Sequence, residues 1–194
     1  MQRNGALPHE LRPHQTSWVA ALDAYARRFA DEAASVELFR SFMADHADAA
    51  SRQRLHGHLT GSAWLVSVDG QRALLTHHRK LDRWLQPGGH ADGDPDLARV
   101  ALREAQEESG LHDLVVDSAI FDIDRHRIPA RGEEPEHWHY DVRYVVRTTV
   151  SEVFEVSEES HALAWRDIAE IAADVTINDS VRRMANKWLT RGGT

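Results

Sequence analysis

The chain has 194 residues, 42% hydrophobic and 28% charged, with a net charge of −8, 13 histidines and no cysteine. This composition fits one globular, soluble domain with an extra helical piece; it excludes disulfides and thiolate metal sites and argues against a broad nucleic-acid surface, which needs a basic excess. No apolar run reaches the roughly 18 residues of a membrane span, and the opening MQRNGALPHE lacks a signal-peptide core, so a cytoplasmic location is expected.

In chain order, Trp18, Val19, Leu22, Tyr25, Ala26 and Phe29 recur at helical spacing over residues 15–30. Ser35 is placed to cap a second helix carrying Val36, Phe39, Phe42 and Met43. An N-terminal helical segment is therefore predicted for residues 1–50, and a second domain for 51–194. Within the latter, residues 62–68 read as a strand, Asp69-Gly70 as a two-residue hairpin turn, and residues 72–76 as the return strand. A loop over 88–94 leads into a helix at about 95–109. Strands follow at 114–123 and 138–150, separated by a polar loop at 129–136. A short strand at 163–165 precedes a closing helix with Val181, Met184, Ala185, Trp188 and Leu189, begun near Asn178. This mixture implies an α+β fold, an α/β/α sandwich around a mixed sheet.

The helix at 95–109 is acidic in the wrong place. Asp94 suits its cap, Pro95 its first position and Gly110 its end. Wound at about 100° per residue, Leu97, Ala101 and Ala105 form an apolar stripe. Glu104 and Glu108 fall on that stripe or its edge, with Glu107 beside it. A charge run usually marks a solvated face. Here like charges at i and i+4 repel, and partial burial raises the cost unless a cation joins them. A hard divalent ion such as Mg²⁺ suits oxygen donors and pairs with substrate phosphates.

The run from Gly89 through Arg103-Glu104-Ala105-Gln106-Glu107-Glu108-Ser109-Gly110-Leu111 resembles the Nudix box, G-x5-E-x7-R-E-U-x-E-E-x-G-U with U aliphatic. The motif spans 23 positions, Gly89 to Leu111, and the strand pattern extends the resemblance over about residues 58–170. One departure stands out: the first glutamate of the motif falls at Pro95, flanked by Asp94 and Asp96. The resemblance implies a Nudix-type fold and metal-dependent hydrolysis of a diphosphate bond in a nucleoside diphosphate linked to another group. It also implies a phosphorylated, nucleotide-derived small molecule as partner and Mg²⁺ or Mn²⁺ as cofactor. By position, Glu104, Glu107 and Glu108 are the implied metal ligands, with Glu107 and Glu108 catalytic and Glu107 alternatively orienting the water. Arg103 holds the glutamates by ion pairing. Gly88 and Gly89 let the loop approach the substrate. A further acid from a distant loop is open between Glu133, Glu134, Glu158 and Glu159. Arg79, Lys80 and Arg83 precede the glycines as candidate phosphate contacts; a solvated hairpin end explains them as well. Trp84 and Trp138 are expected in the core rather than stacked on a base.

Residues 58–66, HLTGSAWLV, resemble the first core strand of isopentenyl-diphosphate isomerase, another protein of this fold. That likeness implies a second metal site of His58, His90, His139 and Asp141. Residues 139 and 141 share one side of a strand by alternation. Such a mixed set suits an additional transition metal, Mn²⁺, Fe²⁺ or Zn²⁺; ordinary polar residues around a phosphate pocket are the plainer reading. Isomerisation itself is disfavoured, because the position of the isomerase's catalytic cysteine is Gly88. A third class stays open: a binding or regulatory protein that keeps the ligand without hydrolysing it, which Pro95 favours. The N-terminal helices offer a surface for a partner subunit, so a homodimer is also open.

Overall fold

The computed structural model describes residues 13–79, 82–156 and 160–191. The chain divides into two compact units, Met1–Ala47 and Asp48–Thr194. In the first, α1 (Pro13–Arg28) and α2 (Ala33–Asp45) are joined by a 3₁₀ turn, Ala30–Glu32. Their apolar stripes supply buried Trp18, Leu22, Tyr25, Val36, Phe39, Phe42 and Met43, and Arg40 donates to Asp23 at 2.6 Å. Ser35 lies inside α2 rather than capping it. The 3₁₀ turn runs directly into the helix, and Glu32 occupies the cap position without a side-chain bond to the helix backbone; its carboxylate accepts from the Tyr25 hydroxyl instead.

The second unit contains β1 (Gly57–Val66), β2 (Arg72–His78), β3 (Arg83–Leu85), β4 (Gly88–His90), α3 (Leu97–Ser109), β5 (Leu114–Ile128), β6 (His137–Thr148), β7 (Ser160–Asp167), α4 (Ile168–Ala173) and α5 (Asp179–Thr190). The strands form one mixed sheet in the order β3-β2-β1-β6-β5, with β4 added to β1 and β7 to β2. β1 is buried along all ten residues, as expected of a strand covered on both faces. It runs parallel to β6 in continuous register from Gly57↔Trp138 to Val66↔Arg147, while every other pairing is antiparallel.

The two faces carry different layers. Gly61 of β1 lies under α3: a Cβ there would come within 2.9 Å of Val100. On the opposite face Trp64 and Val66 of β1 join Ala73, Leu75, Phe121 and Val145 from other strands. These pack against Ile168 and Ile171 of α4 and Val181, Met184 and Ala185 of α5. The result is the α+β, helix-flanked mixed sheet expected from the sequence.

Several boundaries differ for identifiable reasons. The Asp69-Gly70 turn is not a two-residue hairpin: β1 ends at Val66 and β2 begins at Arg72. A two-residue type I′ turn needs positive φ at both central residues. Asp69 does not adopt it; its carboxylate accepts from Ser67 Oγ at 2.6 Å and Gln71 N–H at 3.0 Å. Residues 88–90, expected in a loop, form a strand because β1 pairs with them, Thr60↔His90 to Ser62↔Gly88. β5 continues to Ile128 and β7 covers eight residues because each is held along a neighbour, β6 and β2 respectively.

Candidate metal-dependent active site

α3 begins two residues later than its sequence suggests. Asp96, not Asp94, is the N-cap and accepts from Arg99 N–H at 3.1 Å. Pro95 therefore precedes the helix. Asp94 folds over it, accepting from Asp96 N–H at 2.9 Å, and holds the Arg99 guanidinium at 2.6 and 2.9 Å. The Arg99 bond holds the Asp94 carboxyl below the usual range. The helix stops at Gly110, whose φ of +69° is the left-handed cap that glycine adopts without strain.

One face of α3 meets β4. Leu97, Val100, Ala101, Ala105 and Glu108 are buried, and Glu108 keeps 8% of its surface. Its Oε1 accepts from Gly88 N–H at 2.7 Å. One turn earlier, Glu104 fills the space where Gly89 has no side chain: a Cβ on Gly89 would fall 2.4 Å from Glu104 Oε2. Gly88 is similarly constrained from the other side, since its Cβ would lie 2.1 Å from Ser62 Oγ. The two glycines are thus required for close approach on opposite faces of one short strand. Arg103 joins helix to strand, donating to Glu104 Oε1 at 2.8 Å and to the His90 carbonyl at 2.9 Å. Glu107 faces solvent, 63% exposed, with its carboxylate 3.9 Å from Arg103. The arrangement is a pair of carboxylates turned toward β4 with a third at the rim.

The opposite face of β4 carries imidazoles. His58 on β1, His90 on β4 and His139 on β6 come together with ligand atoms all within 4.8 Å of one another. Strand register explains it: His58 pairs with His139, and His90 with Thr60 on the adjoining strand. Burial above all, with the neighbouring His90 and His137, pushes His58 down to about 4, against the opposing pull of its bond to the Arg54 carbonyl. Burial and the surrounding imidazoles push His139 down to about 2, and burial and Arg52 lower His90.

Asp141 does not join them, although it shares their side of β6. Its Oδ1 accepts from Thr60 Oγ1 at 2.9 Å and Ser62 Oγ at 2.8 Å, and its Oδ2 from Arg143 at 2.7 Å. The expected fourth ligand is therefore committed to a buried ion network. Arg143, 2% exposed, also donates to Asp122 at 3.0 Å and lies 3.3 Å from Asp124. From α5, Arg183 reaches Asp122 and Asp124, and Lys187 reaches Asp122 at 2.6 Å. Burial works to raise both aspartates; for Asp122 the Arg183 bond and nearby cations outweigh it, and for Asp124 the His126 bond and the Arg143 charge do.

The other candidates fall in different places. Arg79 donates to the Ser160 carbonyl at 3.3 Å. Lys80, Glu158 and Glu159 lie outside the described residues. Glu134 is 3.9 Å from His137 Nε2, on the imidazole side of the sheet. Trp84 stacks on His77 with ring centroids 5.1 Å apart and packs against the α4–α5 core, as expected. Trp138 lies under the Arg125 guanidinium, 4.1 Å away. The second metal site expected from the sequence left out His137, which contacts both His58 and His139. The available signal was the His137-x-His139 alternation at the start of a strand.

A mixed sheet between helical layers, with an acidic helix laid against a Gly-Gly strand, is the architecture of the Nudix fold. The NUDIX domain family model matches residues 58–186, and the chain belongs to the Nudix family. Among solved structures, it is similar to a Caenorhabditis elegans Ap4A hydrolase complex, at 15% identity and TM-score 0.54, covering 69% of this chain and 96% of that one. It is also similar to a NUDIX-family hydrolase from Clostridium perfringens, at 24% identity and TM-score 0.53, covering 69% and 97%. A MutT protein from Methanosarcina mazei matches at 18% identity and TM-score 0.53, covering 73% and 99%. A search of curated proteins returned no match. Among the described residues, no helix is long and apolar enough to cross a membrane.

Proposed function

We propose that this enzyme cleaves the diphosphate bond of a nucleoside diphosphate linked to a second group, using Mg²⁺ or Mn²⁺ held by α3. The observation that carries the proposal is the inward carboxylate pair. Glu104 and Glu108 lie one helical turn apart against two successive glycines, Glu108 nearly buried. Their oxygen donors fit a hard divalent ion, and burial of like charges gives that ion a stabilising role.

Glu104 and Glu108 would hold the metal. Bound there, a divalent ion polarises the phosphate oxygens and makes water a better nucleophile at neutral pH. The rest falls to this chain's residues. Arg103 fixes Glu104 against β4 through paired bonds to its carboxylate and the His90 carbonyl. Glu107, at the solvent rim, would orient the attacking water and accept its proton. The water oxygen bonds to phosphorus as the bridging phosphorus–oxygen bond breaks. Gly88 and Gly89 make room for Ser62 and for the Glu104 carboxylate, and Arg79, Lys80 and Arg83 would supply cationic contacts to the phosphates. Positioning and charge compensation dominate such chemistry.

An additional transition metal falls to the imidazole cluster rather than to α3, because borderline cations prefer nitrogen donors and hard ones oxygen. A cytoplasmic location and a homodimer through α1 and α2 belong to the same proposal. A binding protein without turnover is favoured by one observation: Pro95 replaces the motif glutamate, and Asp94 beside it is tied to Arg99.

The test is product release over a panel of nucleoside diphosphate derivatives with Mg²⁺ and Mn²⁺, for the full chain and Glu108→Gln. The amide oxygen of the substituted side chain still accepts from Gly88 N–H, so folding persists while the charge is lost. Turnover should fall by orders of magnitude. Near-normal rates in the variant count against the carboxylate site; tight binding without turnover across the panel favours the binding protein.

A further inference from the structure

The imidazole cluster holds more information than its proximity. His58 Nδ1 lies 3.3 Å from the Arg54 carbonyl. A carbonyl only accepts, so this contact places the ring proton on Nδ1 and leaves a lone pair on Nε2. Among the described residues, that Nε2 is buried without a hydrogen-bond partner, in a residue 2% exposed. Leaving a polar atom unsatisfied in the interior costs free energy, and such atoms are rare.

The same logic applies to His137. Its Nδ1 lies 2.9 Å from the Pro135 carbonyl, which again assigns the proton to Nδ1. Its Nε2 lone pair then points at His139 Nε2, 3.1 Å away. The His58 ring stacks against His137 at 5.0 Å and approaches His90 and His139 at 5.1 and 4.8 Å between centroids. Two backbone carbonyls thus fix two tautomers so that lone pairs converge with His90 and His139. His126 is different: its Nδ1 is engaged by Asp124 at 3.3 Å.

We infer that His58, His90, His137 and His139 form an all-imidazole centre for one borderline divalent transition metal, with His137 standing where Asp141 was expected. This deepens the proposed transition-metal reading and does not depend on the hydrolase site. Nitrogen ligands at about 2.0–2.1 Å from a tetrahedral ion are separated by roughly 3.4 Å. Small side-chain movements close the 4.8 Å spread of His58, His90 and His139 to that value, and His137 Nε2 already lies 3.1 Å from His139 Nε2. Four neutral imidazoles suit Zn²⁺, Co²⁺ or Ni²⁺ and not Mg²⁺. The ion would clamp β1, β4 and β6 from the side opposite Glu104 and Glu108.

The experiment is a Co²⁺ titration of the full-length chain in excess Mg²⁺, which occupies oxygen sites. Visible absorption follows binding, and X-ray absorption counts the imidazoles around cobalt. One equivalent with four nitrogen ligands is expected. His137→Ala should weaken Co²⁺ by more than about tenfold, since loss of a direct ligand costs at least the lower end of the 10–100-fold typical of an outer partner. Circular dichroism verifies that the variant folds, and the wild-type ligand count stands without it. Three nitrogens plus a carboxylate, or unchanged affinity in His137→Ala, overturns the assignment of His137. No tight Co²⁺ under excess Mg²⁺ overturns the centre itself. Mg²⁺-supported hydrolysis, measured on the same samples, separates either failure from that of the catalytic proposal.

Discussion

Replacing Arg143 by Met tests the ion network beneath the active-site strand. Arg143 is 2% exposed and faces three carboxylates, Asp141 at 2.7 Å, Asp122 at 3.0 Å and Asp124 at 3.3 Å. Removing one partner of a buried ion pair costs about 3–5 kcal/mol, because the remaining charge is left uncompensated. The cost is not shared evenly. Asp122 keeps Arg183 and Lys187, and Asp124 keeps Arg183. Asp141 keeps two hydroxyls, Thr60 and Ser62, and a long contact from Gln86 at 3.4 Å. The lower end, about 3 kcal/mol, is therefore expected. At roughly 2–4 °C per kcal/mol for a unit of this size, Tm should drop by about 6–12 °C. Adding Asp141→Asn removes the stranded charge while its carbonyl still accepts from the hydroxyls. The double variant should recover at least about 1 kcal/mol, a coupling that neighbouring sites show and distant ones do not. Thermal unfolding followed by circular dichroism in metal-free buffer reads all three proteins. A single variant melting within about 2 °C of wild type, or a second substitution that simply adds further loss, refutes the reasoning.

Three further outcomes follow from the same geometry. Gly89→Ala should fold, because the nearest atoms to its Cβ belong to the flexible carboxylate of Glu104, yet lose activity by displacing that group; a kinetic assay showing wild-type kcat would contradict it. Gly88→Ala should instead lower Tm, since its Cβ meets Ser62 Cα at 2.9 Å as well as the hydroxyl; calorimetry decides between the two behaviours. Stability of the metal-free protein should hold above about pH 6.5 and decline as pH falls toward 4. Burial depresses His58 to about 4 in the fold, whereas the unfolded chain takes up the proton near 6.5, so acid favours unfolding in that window. A Tm that stays level down to about pH 4.5 would show that His58 protonates without strain.

The catalytic helix was readable from sequence because one element carries its whole pattern. Glu104 and Glu108 are four residues apart, Gly110 ends the helix, and no long-range contact is needed to place them on one face. His58, His90 and His139 come from three strands, and their meeting depends on the parallel β1–β6 register and on β4 pairing with β1. Alternation alone put Asp141 with them. It cannot show that Arg143, two residues further along the same face, would claim the carboxylate. β4 escaped notice because Gly88-Gly89-His90 has little intrinsic strand preference and owes its conformation to its partner strand. The start of α3 was misplaced by two residues because both Asp94 and Asp96 are competent caps, and only the Asp94–Arg99 contact distinguishes them. α4 has six residues, too few for a periodic signal.

The contacts beneath β4 run without a break from one helical layer to the other. Glu108 touches Gly88, Gly88 rests on Ser62, Ser62 bonds Asp141, and Asp141 leads through Arg143 to Asp122 and Arg183 on α5. The carboxy-terminal helix is therefore a distant buttress of the chemistry. Trimming the chain ahead of residue 183 would loosen a carboxylate on the far side of the sheet from α5.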